Sequence, residues 1–245
     1  MCTLVVIVPE PGGVLEIAAN RDEFLDRPAS SPRRWEGVPA VLAPRDEQAG
    51  GTWLGVNAHR MFVGVTNRHA AGRDTARASR GQLVSDALRA PSVEALHAQL
   101  ARLGPGAHNP FHLLYADAGG RAGLTWNDGL RVQQRWLDPG VHVLTERSLG
   151  AGDESTRVAR VQTALAGAAG TVPFETWAEL LRRHASPDPR EGTCLHVPAF
   201  GYGTRSSFLL QLGPGPSAER CAWTEGPPCT SPWVDGTELL REVLA

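Results

Sequence analysis

Lysine is absent from this sequence of 245 residues, in which all 24 cationic side chains are arginine. We attach no function to this bias. Because 26 acidic residues offset the arginines, the formal net charge is -2, which does not favour nucleic acid or an anionic membrane surface as a partner. Long apolar runs are also missing, since the stretch from Leu4 to Val8 is shorter than a secretory signal core or a membrane span. The sequence therefore predicts a soluble, cytoplasmic protein without stable membrane insertion.

Cysteine is scarce, and its spacing excludes several kinds of site. Four cysteines at irregular intervals are too few for a disulfide framework. Cys194 and His196 lie two residues apart, but the paired Cys-x-x-Cys segments of a structural zinc site are missing. We therefore interpret Cys194, His196, Cys221 and Cys229 as scattered core residues and predict no metal site. Covalent haem attachment is excluded because no Cys-x-x-Cys-His segment exists.

Hydrophobic periodicity predicts strands, a helix pair, more strands, a second helix pair and final strands. Two strand hairpins are expected at 2–8 with 14–20 and at 53–57 with 61–67. The helices are predicted at 80–89, 93–103, 155–165, 174–184 and 238–244, and the remaining strands at 111–115, 122–126, 132–136, 141–145, 195–200, 206–212 and 221–224. Residues 24–50, rich in Pro, Arg and Gly, predict a long loop. The Arg-rich stretch 68–80 indicates a solvated surface, with phosphate binding as the alternative.

This order of elements favours one fold class. It lacks the strict βα alternation of a parallel, doubly wound sheet. It suits an α+β protein in which two mainly antiparallel sheets stack and helices cover them. Because no linker poor in apolar residues is visible, residues 1–245 are predicted to form a single domain.

Cys2 offers specific chemistry because its small side chain permits removal of Met1. The product would carry a thiol and a free α-amine on one residue, with ordinary pKa values of about 8.5 and about 7.7–8.0. Such an amine accepts the thiol proton, so the nucleophile brings its own general base. The alternative is that Cys2 is a small apolar residue at a strand end.

The segment Asn20-Arg21-Asp22-Glu23 ends the second predicted strand. If residues 2–8 and 14–20 pair in a hairpin, these four polar side chains arrive beside Cys2. Strand alternation predicts Asn20 and Asp22 on one face and Arg21 and Glu23 on the other. A carboxylate would hold the amine, and a guanidinium would bind an anionic substrate. The alternative is a solvated charged turn.

Several blocks resemble recurring motifs of the NRDE family, also called the TANGO2 family. They occur in the expected order and span almost the whole chain: Met1-Cys2, Ala19-Asn20-Arg21-Asp22-Glu23-Phe24, Gly51-Thr52-Trp53-Leu54-Gly55, Val65-Thr66-Asn67, Ser79-Arg80-Gly81 and Tyr202-Gly203-Thr204-Arg205-Ser206-Ser207. This resemblance implies a role in lipid or acyl-CoA metabolism or in haem handling. Haem and coenzyme A are therefore candidate ligands, and no other cofactor is expected.

The Met-Cys-Thr start also resembles the choloylglycine hydrolases and penicillin V acylases, more distantly. That resemblance implies a four-layer αββα sandwich of N-terminal nucleophile hydrolase type. It implies Cys2 as nucleophile, Asp22 as the residue that orients its amine, and Asn67 as an oxyanion donor. The sequence departs from these amidases at Ala19, where they have Arg, and at Glu146, where they have Asn after a Leu-Thr pair.

The sequence thus predicts an acyl hydrolase or transferase that acts on an amide or thioester of a small-molecule substrate. Cys2, Asp22 and Asn67 are the predicted catalytic residues. The predicted substrate-binding residues are Asn20, Arg21, Glu23, Trp53 and Arg205, although Trp53 is as readily a core residue. The alternative function is a non-catalytic binding or transfer protein for haem or acyl-CoA.

Overall fold

The chain folds into fourteen strands and five α-helices within the residues that the structure, a computed structural model, describes: 2–69, 72–151, 156–167 and 170–245. The strands are β1 (Cys2–Val8), β2 (Leu15–Phe24), β3 (Ala29–Trp35), β4 (Val41–Asp46), β5 (Leu54–Asn57), β6 (Met61–Asn67), β7 (Phe111–Asp117), β8 (Ala122–Asn127), β9 (Val132–Trp136), β10 (Gly140–Leu144), β11 (His196–Val197), β12 (Tyr202–Leu212), β13 (Arg220–Thr224) and β14 (Trp233–Asp235). The α-helices are α1 (Arg80–Ala87), α2 (Val93–Leu100), α3 (Thr156–Leu165), α4 (Phe174–Leu181) and α5 (Thr237–Leu244).

The strands form two antiparallel sheets. The first has the order β10-β1-β2-β12-β13-β14, with β11 paired to β12, and the second runs β3-β4-β5-β6-β7-β8-β9. Long β12 separates β2 from β13, so a late segment of the chain lies beside the N-terminal hairpin. Gly12, with φ of +85°, supplies the left-handed residue in the turn of that hairpin.

Three apolar clusters hold the layers together. The largest lies between the sheets and joins residues such as Leu4 and Ile17 of the first sheet to Phe62 and Leu114 of the second. A second cluster packs α1 and α2 on the outer face of the second sheet. The third packs α3 and α4 on the outer face of the first sheet, around buried Trp177. The predicted αββα sandwich is therefore confirmed.

The predicted loop at 24–50 is wrong, because this segment contains β3 and β4. Edge strand β3 is largely exposed, and its register against β4 shifts between Ser30 and Arg33, next to Pro32. Proline is tolerated at such an edge irregularity, where a ladder N–H is dispensable. Because β3 is at least partly exposed on both faces, it lacks the alternation of apolar and polar residues that would predict a strand. The Pro- and Arg-rich composition of this segment therefore predicts a loop where a strand forms.

Two smaller differences concern the C-terminal half. The strand predicted at 195–200 shortens to β11, since Pro198–Phe200 forms a 3₁₀ turn that ends at left-handed Gly201. The short strand β14 was not predicted. The predicted helix at 155–165 begins at Thr156 within the described residues.

Among the described residues, no helix has both the length and the apolar character that crossing a bilayer requires.

Candidate functional site

The N-terminal hairpin brings the end of β2 beside the start of β1. In the antiparallel register Cys2 lies opposite Arg21, and Thr3 lies opposite Asn20. The predicted return of polar residues to Cys2 is therefore confirmed. Met1, on which the predicted processing depends, lies outside the described residues.

Asp22 has one carboxylate oxygen bound and one without a partner. Thr204 lies opposite it on β12, and the Thr204 hydroxyl donates to Oδ1 at 2.6 Å. Oδ2 is buried and accepts no hydrogen bond from the described residues. Burial raises the pKa of Asp22 to about 6, against the opposing effects of a charged N-terminal amine and of the Thr204 hydrogen bond. A buried orphan acceptor of this kind fits a cationic donor.

The Cys2 thiol is partly buried at the end of β1. The backbone N–H of Asp22 and a charged N-terminal amine both lower the pKa of this thiol. Burial nevertheless raises the pKa of Cys2 above its ordinary value, and the Asp22 carboxylate adds to this effect, while Arg21 opposes it. The thiol is therefore protonated at neutral pH and needs a base before it can attack a carbonyl carbon.

Arg21 and Trp53 form the wall between Cys2 and a larger cavity. The Arg21 guanidinium stacks over the Trp53 ring, 4.3 Å from the ring centroid, and lies 3.9 Å from a Glu23 carboxylate oxygen. Both side chains line a narrow space of about 20 Å³ that contains Cys2, and both line a neighbouring cavity of about 360 Å³. The larger volume is typical of small-molecule sites. Trp53 is therefore a wall residue that also packs against the core.

Arg205 lines the larger cavity but not the space at Cys2. The register of β12 against β2 shifts between Thr204 and Ser206, so Arg205 is the extra residue of a bulge. Its guanidinium donates to the carbonyl oxygen of Leu25. The structure thus brings Arg21, Trp53 and Arg205 to one cavity.

Asn20 lines the space at Cys2, as predicted, whereas Asn67 does not. The Asn20 amide donates to the carbonyl oxygens of Leu181 and Thr193 and accepts from the Ser207 hydroxyl, all buried contacts. This placement favours a structural role, in which Asn20 ties β2 to the loop after α4, over a substrate contact. Asn67 is exposed at the end of β6, and the described residues that line the space at Cys2 do not include it. Its oxyanion role stays a prediction.

Three residues of the site were not predicted. Glu146, just beyond β10, is buried, and its Oε2 has no partner among the described residues. Arg157 of α3 lies 3.8 Å from Glu146 Oε1 and donates to the Thr3 hydroxyl at 3.0 Å. Arg80, in the stretch predicted to be solvated, is partly buried and acts electrostatically on Cys2 and Glu23. Glu146 and Arg80 come near Cys2 through the strand order and the packing of α1, which local sequence patterns do not predict.

A cluster of two histidines and two cysteines lies close to Thr204 in space, on the side away from Asp22. The ligand atoms of His184, Cys194, His196 and Cys229 all lie within 4.8 Å of one another. The interpretation of Cys194, His196 and Cys229 as scattered core residues is therefore wrong. The sequence does not reveal this proximity, because β11 and β13 are distant along the chain. They become neighbours in space since each pairs with β12. Cys221 is a core residue between the sheets, as predicted.

Comparison with known sequences places this arrangement in a family. The family model described as "Transport and Golgi organisation 2" matches residues 1–212. The mouse homologue of that name is 30% identical over 106 residues, which are 42% of this chain and 38% of the mouse protein. The human homologue matches over the same length with the same identity and coverage. The matched stretch thus spans about two fifths of these curated relatives.

Comparison with solved structures concerns the fold. The Caenorhabditis elegans orthologue of N-acylethanolamine-hydrolyzing acid amidase superposes with a TM-score of 0.65 at 12% identity, over 89% of this chain and 95% of that one. The C2A mutant of conjugated bile acid hydrolase from Clostridium perfringens gives 0.62 at 11%, over 97% and 93%. Penicillin V acylase from Agrobacterium tumefaciens gives 0.61 at 14%, over 97% and 87%. The chain therefore belongs to the Transport and Golgi organisation 2 family and has the fold of N-terminal nucleophile hydrolases.

Proposed function

We propose that this protein is an acyl hydrolase or acyltransferase whose nucleophile is Cys2, exposed as the first residue by removal of Met1. The observation that carries the proposal is the buried, unpartnered Oδ2 of Asp22 beside Cys2. A protonated α-amine on Cys2 would supply the missing donor and would relieve the cost of burying this carboxylate. Glu146, with its own unpartnered oxygen, adds negative charge to the same region.

The ammonium of Cys2 first loses one proton to solvent, so the reaction begins with the protonated thiol and the neutral amine. The amine takes the thiol proton as the sulfur attacks the acyl carbon, and Asp22 holds the ammonium that forms. When the tetrahedral intermediate collapses, the C–N or C–S bond breaks and the ammonium returns the proton to the leaving amine or thiol. A thioester on Cys2 remains. Water then attacks this thioester with the amine as base, which releases a carboxylic acid and restores the thiol.

The cavity supports an anionic acyl compound as the substrate. Two guanidinium groups, of Arg21 and Arg205, stand among apolar walls that include Trp53 and Phe208. Apolar walls suit an acyl chain, and an arginine fork suits a carboxylate or phosphate. Because Arg21 lines both the larger cavity and the space at Cys2, it would hold the anionic group close to the reacting carbon.

A panel of short acyl thioesters and amides tests the proposed activity. We expect thioesters whose acyl chain ends in a carboxylate, such as a succinyl thioester, to be hydrolysed faster than a neutral butyryl thioester of similar length. Chromatographic separation of the released carboxylic acid from the substrate gives the rates for thioesters and amides alike. Spectral binding of haem, with no turnover of any member of the panel, would replace this proposal with a carrier function.

Replacement of Arg21 tests the substrate class within the same panel. We expect Arg21→Gln to raise KM for the anionic thioester about ten- to a hundredfold, because a charge-assisted hydrogen bond contributes about 1.5–3 kcal/mol. The KM for the neutral thioester should change little. Arg45→Gln, which removes a partly exposed arginine from β4, is the matched control. An equal effect of Arg21→Gln on both substrates would contradict the anionic preference.

A further inference from the structure

We propose that His184, Cys194, His196 and Cys229 bind one Zn²⁺ ion. His196 Nε2 lies 3.6 Å from Cys194 Sγ and 3.2 Å from Cys229 Sγ. The rings of His184 and His196 lie side by side, with centroids 5.0 Å apart. The four side chains come from the loop between α4 and β11, from β11 itself and from the loop between β13 and β14. Three separate segments thus converge on one point.

The spacing of these atoms suits tetrahedral coordination. Zn–S bonds of about 2.3 Å and Zn–N bonds of about 2.0 Å at a tetrahedral angle place sulfur and nitrogen ligands about 3.5 Å apart. The two sulfur–nitrogen distances to His196, 3.6 and 3.2 Å, bracket this value, and all four ligand atoms lie within 4.8 Å of one another. Two thiolates with two imidazoles form the ligand set that zinc prefers among common divalent ions. Both thiol protons leave on binding, since only the thiolate is a ligand.

The surroundings of His184 orient it for binding. Its Nδ1 lies 3.1 Å from the carbonyl oxygen of Cys194, so the ring donates there and presents Nε2 as the metal ligand. Metal-binding histidines commonly use the second ring nitrogen in this way, which fixes the tautomer and the ring orientation. The site lies at the surface, with His184 and His196 exposed, which leaves a route for the ion to enter.

The proposed ion would be structural, because four protein ligands leave no position for substrate. It would also stabilise the surroundings of Asp22. The backbone N–H of Leu195, between two of the ligands, donates to Thr204 Oγ1 at 2.8 Å, and that hydroxyl donates to Asp22 Oδ1. The ion would thus fix the loop whose backbone orients Thr204, and Thr204 in turn orients the Asp22 carboxylate.

Metal analysis of the purified full-length chain tests this inference without any assay of activity. We expect one zinc per chain by elemental mass spectrometry after expression with added zinc and purification without chelator. Cys229→Ala and His196→Gln should each lower zinc retention at least about tenfold, because each removes one of four ligands. The matched controls are Cys221→Ala in the core and His59→Gln in an exposed turn, which should keep one zinc per chain.

The unsubstituted protein provides a second measurement in case a ligand variant fails to fold. Stripping its metal with a chelator should lower its melting temperature, and Zn²⁺ should restore it. Co²⁺ in place of Zn²⁺ should give the thiolate charge-transfer band and the visible bands of a tetrahedral site. Absence of zinc from the reduced protein, equal zinc in the ligand variants and the controls, or a Cys194–Cys229 disulfide that persists under reducing conditions would overturn the inference.

Discussion

Cys2→Ser lowers kcat for the thioester substrates by at least about a thousandfold, which is the largest effect that we expect from one substitution. The substitution keeps the α-amine, the size of the side chain and the register with Arg21. It replaces the thiol with a much poorer nucleophile, so only the bond-forming step is affected. Binding of the anionic thioester, measured by calorimetry, should stay within about threefold of that of the unsubstituted chain.

Loss of a cysteine elsewhere provides the control for this experiment. Cys221→Ala removes a buried thiol from β13, away from the site, and should leave kcat unchanged. If Cys2→Ser instead retained full turnover while Arg21→Gln abolished function in a folded protein, Cys2 would be only a strand residue. The carrier function would then replace the hydrolase.

We expect Asp22→Asn to lower kcat about a hundredfold or more, with a smaller effect on substrate binding. The amide is nearly isosteric and still accepts the Thr204 hydrogen bond, but it carries no charge to hold the ammonium of Cys2. Because burial raises the pKa of Asp22 to about 6, the activity of the unsubstituted chain should rise as this carboxyl loses its proton above that pH. The step near pH 6 should be absent from the residual activity of Asp22→Asn, measured from pH 5 to pH 8, which should rise only as the Cys2 amine loses its proton at higher pH.

Although Asp22→Asn is expected to lower kcat, it should raise the free energy of unfolding when the Cys2 amine is blocked. A charged N-terminal amine lowers the pKa of Asp22, so with that amine blocked the folded carboxyl keeps its proton to a pH of about 6 or above. An unfolded carboxyl releases its proton near 3.8, so the free energy of unfolding falls as the pH rises through that window. An asparagine cannot ionise, and the blocked Asp22→Asn chain should be more stable at pH 7 by about 3 kcal/mol or more. The gain should shrink in the chain with a free amine, because the ammonium then pairs with Asp22.

Denaturant titrations of these chains measure the difference, with the exposed Asp138→Asn as the matched control. An equal stability change in the blocked and free chains would show that the amine and Asp22 do not interact. The proposed arrangement of the base would then be wrong, even if Cys2 remained the nucleophile.

Local sequence patterns account for much of the fold and for the centre of the site. The β1–β2 hairpin follows from a β-branched strand, a Pro-Gly turn and an apolar return strand, and once it forms, the segment Asn20-Arg21-Asp22-Glu23 lies beside Cys2. Helix α2 begins after Ser92, whose hydroxyl accepts from the Ala95 N–H, a local contact that serine favours at this position. Such contacts depend on neighbours in the sequence.

Contacts across the sheet could not be predicted in the same way. The partner of Asp22 is Thr204, 182 positions away, and it is defined by the pairing of β2 with β12. Glu146 is adjacent to this region because β10 pairs with β1, an order that no local pattern encodes. The cluster around His196 could not be predicted for a related reason, because its four side chains come from three segments and form no motif with regular spacing.

The most direct test of the central claim compares two samples that differ only in whether the Cys2 amine is free. One carries a removable N-terminal extension, and in the other a site-specific protease has cleaved the extension so that Cys2 is the first residue. Each sample is mixed with the anionic acyl thioester, quenched in acid within seconds and weighed intact by mass spectrometry. We predict that the free-amine sample gains the mass of one acyl group, located on Cys2 by peptide mapping and lost with time, while the extended sample gains none. Acylation of both samples at the same rate, or of neither, would contradict an N-terminal cysteine that serves as nucleophile with its own amine as base.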